Sequence, residues 1–215
     1  MTYPGKLLAW ATFVLLFAAL SYAVNLTSSP PKDVLYTWGA VLSGIVQYAF
    51  VLGLMVVIAR PETKLLFALR RPTSWRLAAG LAAGVLVGVF VLAGALEPFL
   101  NPGREQDLLP DRWEPTHAAA FAANFVVVAV VAPVIEELTF RGLGYSLLVQ
   151  LGRWWAILLV GLAFGVAHGL VQGLPLLFAI GSGLAYIRSR TTSVYPCMLV
   201  HGVFNGLVLA AAVTT

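Results

Sequence analysis

A chain of 215 residues with 60% hydrophobic and only 10% charged side chains and a mean hydropathy of +0.90 is a membrane protein, since soluble domains carry roughly 25% charged residues. Its net charge of +4 sits in loops, so membrane lipid rather than nucleic acid is the expected partner. The single cysteine, Cys197, excludes an internal disulfide and any cysteine-based metal cluster.

Apolar runs between polar breaks predict membrane segments near 5–24, 34–59, 77–96, 118–133, 154–171, 174–187 and 193–213. The fold class is therefore all-α, a polytopic transmembrane helix bundle of about seven or eight membrane helices. The first run follows Lys6 and leads into NLTSSPPKD without a small-residue cleavage pattern, so it reads as a retained helix. Pro30 and Pro31 read as linker. Segment 60–76, RPETKLLFALRRPTSWR, sets Arg60, Lys64, Arg70, Arg71 and Arg76 against Glu62. The positive-inside rule assigns it to the cytoplasm, as a short basic amphipathic helix on the membrane surface. Gly80, Gly84 and Gly88 in the third run form a small-residue face suited to bundle packing. Segment 97–117 sets Glu97, Glu105, Asp107, Asp111 and Glu114 against Arg104 and Arg112 and belongs outside. The N-terminus is then cytoplasmic.

From Ala118 to Gln150 a continuous helix would measure about 50 Å, too long for a hydrocarbon core of roughly 30 Å. Pro133 is expected to kink or break it, with 118–132 spanning and 134–150 a separate helix; full spanning of the latter would make eight. Gly161, Gly165 and Gly169, then Gly202 and Gly206, form further small-residue faces beside polar groups. Residues 1–117 thus supply three N-terminal helices with loops, and 118–215 a core carrying the polar chemistry, in one integrated domain.

Only Glu136, Glu137 and Arg141, in VIEELTFRG, are charges that fall inside an apolar stretch rather than in a loop or at a segment end. A charge at mid-bilayer costs about 2.5–3.5 kcal/mol, so such residues are paired or functional. Glu137 and Arg141 are one helical turn apart and can pair, whereas Glu136 points about 100° away. His168 follows Phe164 by four residues, and His201 precedes Asn205 by four, so His201 and Asn205 share a helix face. There is no H-E-x-x-H, no aspartate outside the loops, and Gly181-Ser182-Gly183 reads as packing rather than a nucleophile. What remains, a glutamate with two histidines and an asparagine, can polarise water and stabilise an oxyanion.

The blocks Glu136-Glu137-Leu138-Thr139-Phe140-Arg141, Phe164-Gly165-Val166-Ala167-His168 and His201-Gly202-Val203-Phe204-Asn205 resemble, in order, the EExxxR, FxxxH and HxxxN motifs of the CPBP family of intramembrane endopeptidases. That family includes type II CAAX prenyl proteases and bacteriocin-processing or self-immunity proteins. The resemblance covers roughly 130–210. It implies that Glu136 is the general base activating water, that His168 helps hold the water or a metal, and that His201 and Asn205 bind the oxyanion. Glu137, Arg141 and Phe164 would then support the site. Two cofactor readings stand open: zinc or another divalent metal on His168, His201 and Glu136, or a metal-free glutamate mechanism. The expected substrate is a peptide or protein, prenylated or a leader peptide, in a bacterial or archaeal plasma membrane. The rival reading is a non-catalytic immunity, scaffold or transport protein built on buried polar groups. Counted along straight helices, Glu136, His201 and His168 fall at different depths, so a break at Pro133 is expected to bring Glu136 deeper, with the site opening toward the cytoplasm.

Overall fold

The computed structural model describes residues 1–28, 33–100, 105 and 112–213; Pro30, Pro31, Arg104, Asp107 and Asp111 lie outside them. Seven principal helices run up and down: α1 (Tyr3–Thr27), α2 (Trp38–Ala59), α3 (Trp75–Leu96), α4 (Pro115–Leu151), α5 (Arg153–Ala167), α6 (Leu174–Thr191) and α7 (Tyr195–Ala212). Among the described residues there is no strand. Local chemistry sets the starts. Thr37 Oγ1 accepts from Ala40 N at 3.2 Å to begin α2, and Ser74 Oγ accepts from Leu77 N at 3.2 Å to begin α3. Prolines occupy the first turns of α1, α6 and α7, where no N–H is needed.

Five of these helices, α1 to α4 and α7, are long and apolar enough to cross a membrane, fewer than the seven or eight expected. The outward faces of α1 to α3 leave Leu15, Leu16, Leu42, Phe50 and Val91 exposed, as lipid-facing surfaces do. The other two fall short for local reasons. Helix α5 has only 15 residues, because Gly169 adopts φ +69° just past its end, the left-handed stop that glycine tolerates. Ser21 backbone packs so closely there that a Cβ would meet it at 2.5 Å. Helix α6 carries Arg188 and Arg190 in its last turn.

Helix α4 does not break at Pro133. It is one helical element of 37 residues that absorbs the proline with a π-helical stretch, Val127–Val131, followed by a second, Leu138–Gly144. The Ala132 N–H reaches back five residues to the Val127 carbonyl. In that register residue 133 would serve the Val128 carbonyl, and proline has no hydrogen to give. Asn205 of α7 takes its place, donating from Nδ2 to Val128 O at 3.1 Å.

Segment 60–76 is not a surface helix. After one helical turn, Thr63–Leu66, it dives inward with Phe67 and Ala68 buried. The Phe67 backbone lies against Gly142, where an added Cβ would come within 3.0 Å. Thr73 N donates to Thr191 O at 3.0 Å and Arg70 Nε to Thr192 O at 2.7 Å, which ties the segment to the α6–α7 turn.

These ties gather charge at one end of the bundle. Tyr3 Oη bonds the Leu147 carbonyl and Lys6 bonds Glu62, so the start of α1, the ends of α2 and α4 and segment 60–76 meet there with Arg153 and Arg190. At the other end Tyr36 Oη donates to Arg112 O at 2.8 Å, and Glu105 accepts from Val171 N and Gly173 N at 2.6 and 2.8 Å. Asp33, Glu97 and Glu114 belong to this second end.

The glycine faces divide. A Cβ at Gly161 would strike Ser182 at 2.1 Å, and one at Gly181 would meet Gly161 at 3.0 Å, so α5 and α6 cross in close contact. Gly80, Gly84 and Gly88 have nothing within 4 Å. Contrary to expectation, that face packs on no other helix among the described residues.

Candidate active site

The two glutamates separate by exposure. Glu137 and Arg141 are at 0% side-chain exposure, and their Oε1 and Nη1 lie 2.7 Å apart. Glu136 retains 19% and faces a cleft. Arg141 is held further by Nη2 donating to the Gly181 carbonyl at 3.0 Å and by Phe164, whose ring centroid lies 4.3 Å from its guanidinium carbon. The glycine crossing of α5 and α6 therefore serves the site: it brings the Gly181 carbonyl to Arg141.

Glu137 does more than pair with Arg141. Its Oε1 also lies 2.9 Å from His201 Nδ1. A carboxylate paired with arginine only accepts, so His201 donates Nδ1–H and turns Nε2 away from it. That Nε2 lies 3.8 Å from Glu136 Oε2, close enough for both to touch one small reacting group. Glu136 Oε1 accepts from Tyr48 Oη at 2.8 Å. The carboxylate is thus set from two sides, by α2 and by α7.

Helix α7 approaches α4 closely because Gly202 lacks a Cβ; one would come within 2.6 Å of the Ala129 carbonyl. His201 and Asn205 flank that contact on the same side. The Asn205 bond to Val128 uses one amide hydrogen and leaves the second uncommitted. Phe164 is the hub of the aromatic packing, 4.6 Å from the His168 ring and 5.6 Å from the His201 ring, centroid to centroid.

His168 is placed differently from its sequence reading. It is not inside a membrane helix but caps the end of α5, donating Nδ1–H to the Phe164 carbonyl at 2.8 Å. Its neighbours are held by Asn25 of α1, whose Nδ2 bonds both the His168 and Gly169 carbonyls at 3.2 Å. Glu136 and His168 line one cleft of about 450 Å³, with Phe13, Phe17, Gln47, Tyr48 and Phe140. The cleft continues to Asn25 and Ser28, away from the base-rich end that was expected to hold its mouth.

Both histidines thus commit Nδ1–H and leave Nε2 uncommitted: unprotonated it could ligate a metal, and protonated it would donate to an anion. Yet among the described residues no group of three His, Cys, Asp or Glu side chains could hold a metal ion. The proposed set of His168, His201 and Glu136 does not converge as a metal centre.

Residues 118–207 match the family model of type II CAAX prenyl endopeptidase Rce1-like proteins. This segment is similar to Rce1-like domains. All three sequence blocks, from Glu136 to Asn205, lie within it, in agreement with the likeness to the CPBP family. Comparison with curated proteins and with solved structures gives no match. The matched segment begins at α4 and leaves out α1, α2 and α3, although Tyr48 of α2 bonds its Glu136, and Trp10 of α1 donates to its Thr139 carbonyl at 3.0 Å. Sequence reasoning missed both residues because it gave no weight to tyrosine and tryptophan inside the apolar runs. Gln47-Tyr48, a polar interruption in an otherwise apolar run, was the available signal for the first.

Proposed function

We propose that the protein is an intramembrane endopeptidase in which Glu136 activates water to hydrolyse a peptide bond of a membrane-held polypeptide. The observation that carries this reading is the approach of Glu136 Oε2, from the wall of a cleft, to Nε2 of the buried His201 behind it, 3.8 Å, with the buried Glu137–Arg141 pair behind the histidine.

In this mechanism Glu136, steadied by Tyr48, takes a proton from a water molecule whose oxygen attacks the scissile carbonyl carbon. His168 helps hold that water. The oxyanion is met by His201, protonated on Nε2 and supported through Nδ1 by Glu137, and by the second amide hydrogen of Asn205. The proton on Glu136 passes to the leaving amine as the C–N bond breaks. Arg141 and Phe164 keep Glu137 and both imidazoles in place. No step requires a metal.

The test is Glu136→Gln, which keeps size and hydrogen bonding while removing the base. With normal folding and membrane insertion, peptide hydrolysis falls about 100-fold or more, read as loss of cleaved product. Undiminished biological effect in that variant favours the rival, a non-catalytic membrane protein. We further place the base-rich end at the cytoplasmic face, which makes the N-terminus cytoplasmic.

A further inference from the structure

The cleft runs away from the bases. Tyr48, which bonds Glu136, is ten residues from Trp38 and eleven from Ala59, so at about 1.5 Å per residue Glu136 lies roughly 15 Å from either end of α2. That is the middle of a hydrocarbon core of roughly 30 Å. From there the α1 wall of the cleft passes Leu20 and Val24 to Asn25 and Ser28. Asn25 is fastened to the end of α5, and the turn after α5 is gripped by Glu105. Every described loop base except Arg112 lies at the opposite end, with Lys6 and segment 60–76. Short loops rich in Lys and Arg stay in the cytoplasm.

We infer that the cleft admits its substrate from the extracytoplasmic half of the bilayer, and that the substrate is a polypeptide anchored in or delivered to that half. Its segment enters extended between the α1 and α2 walls and is cut near mid-depth. The lining suits such a ligand: Phe13, Phe17 and Leu20 offer an apolar bed, and the exposed Gln47 amide offers a donor and an acceptor to a peptide backbone. The nature of the substrate rests on the peptidase reading above; the sidedness of the cleft does not.

Two measurements test this on the full-length protein in cells. The native Cys197 is wholly buried, so wild type serves as the unlabelled background. Ser28→Cys places a thiol at the cleft mouth and Gln150→Cys one at the base-rich end, both at exposed positions. A membrane-impermeant maleimide applied to intact cells is expected to label Ser28→Cys about tenfold or more above Gln150→Cys, and the order reverses in inside-out vesicles. The opposite order, or equal labelling, overturns the inference whatever the activity.

The second measurement compares the new N-termini of membrane polypeptides in cells expressing wild type or Glu136→Gln. Ends that depend on Glu136 are expected in the extracytoplasmic half of anchored segments; ends confined to the cytoplasmic side overturn the substrate assignment. Absence of any Glu136-dependent end removes the peptidase reading and the substrate with it, while the labelling result still decides sidedness.

Discussion

Neighbouring glutamates in this chain do different work because one residue of helical advance turns a side chain by about 100°. Glu137 faces inward, where Arg141 and His201 share its Oε1. Removing one member of a buried pair leaves an uncompensated charge and costs about 3–5 kcal/mol. Glu137→Gln and Arg141→Gln should each destabilise on that scale, while the double variant loses clearly less than the sum, measured by thermal unfolding in detergent and read as a double-mutant cycle. Additive losses would show that the two do not act as a pair. Glu136 faces the cleft, and its orientation depends on a phenol. Tyr48→Phe is expected to lower kcat about tenfold through lost alignment with KM nearly unchanged, because in the proposed mechanism Tyr48 positions the base. A change confined to KM would instead make it a substrate contact.

At the level of elements, the contact of α7 with α4 is made by absence. Gly202 has no side chain where the Ala129 carbonyl passes, so Gly202→Ala forces the helices apart and should destabilise by about 1–3 kcal/mol, with His201 drawn off Glu136 and activity falling alongside. Gly84→Ala is the control. Its Cβ meets nothing, and alanine is the better helix former by up to about 1 kcal/mol, so stability should hold or rise. Thermal melts of the two variants check both expectations. The same GxxxG spacing thus means closeness in one helix and an open face in another, and spacing alone does not say which. The helix ends behave similarly: the apolar run around 154–171 continues past Ala167, but the backbone turns at Gly169, and His168 becomes a cap rather than an interior residue.

For the molecule as a whole, the sequence made legible what depends on composition and on residues near one another in the chain. Seven helical elements, the Glu137–Arg141 pair one turn apart and the three blocks within the Rce1-like match could all be read from the sequence. Depth and direction could not. Pro133 was expected to kink or break α4, with 134–150 a separate helix; the separate helix is not there because the compensating donor, Asn205, comes from 72 residues further along the chain. The cleft was expected at the base-rich end, but its walls are set by α1 and α2, whose pairing leaves no periodic trace. The hydrogen bond of His201 to Glu137 also joins residues far apart in sequence. Each of these is a tertiary fact assembled by packing.

The π-helical stretch Val127–Val131 also gives the bundle an unusual tolerance. A π turn holds one residue more than the α turn it replaces, so the helix carries a spare valine ahead of Pro133. Deleting Val130 would let the stretch close into ordinary α-helix without rotating what lies on either side. Glu136 should keep its place beside Tyr48, and the protein should still insert and retain part of its activity. The same deletion at Ala122, in the α-helical turns before it, would swing one part of α4 against the other by about 100° and abolish activity. Comparing the two deletions for insertion and hydrolysis distinguishes a length that can shrink from one that cannot.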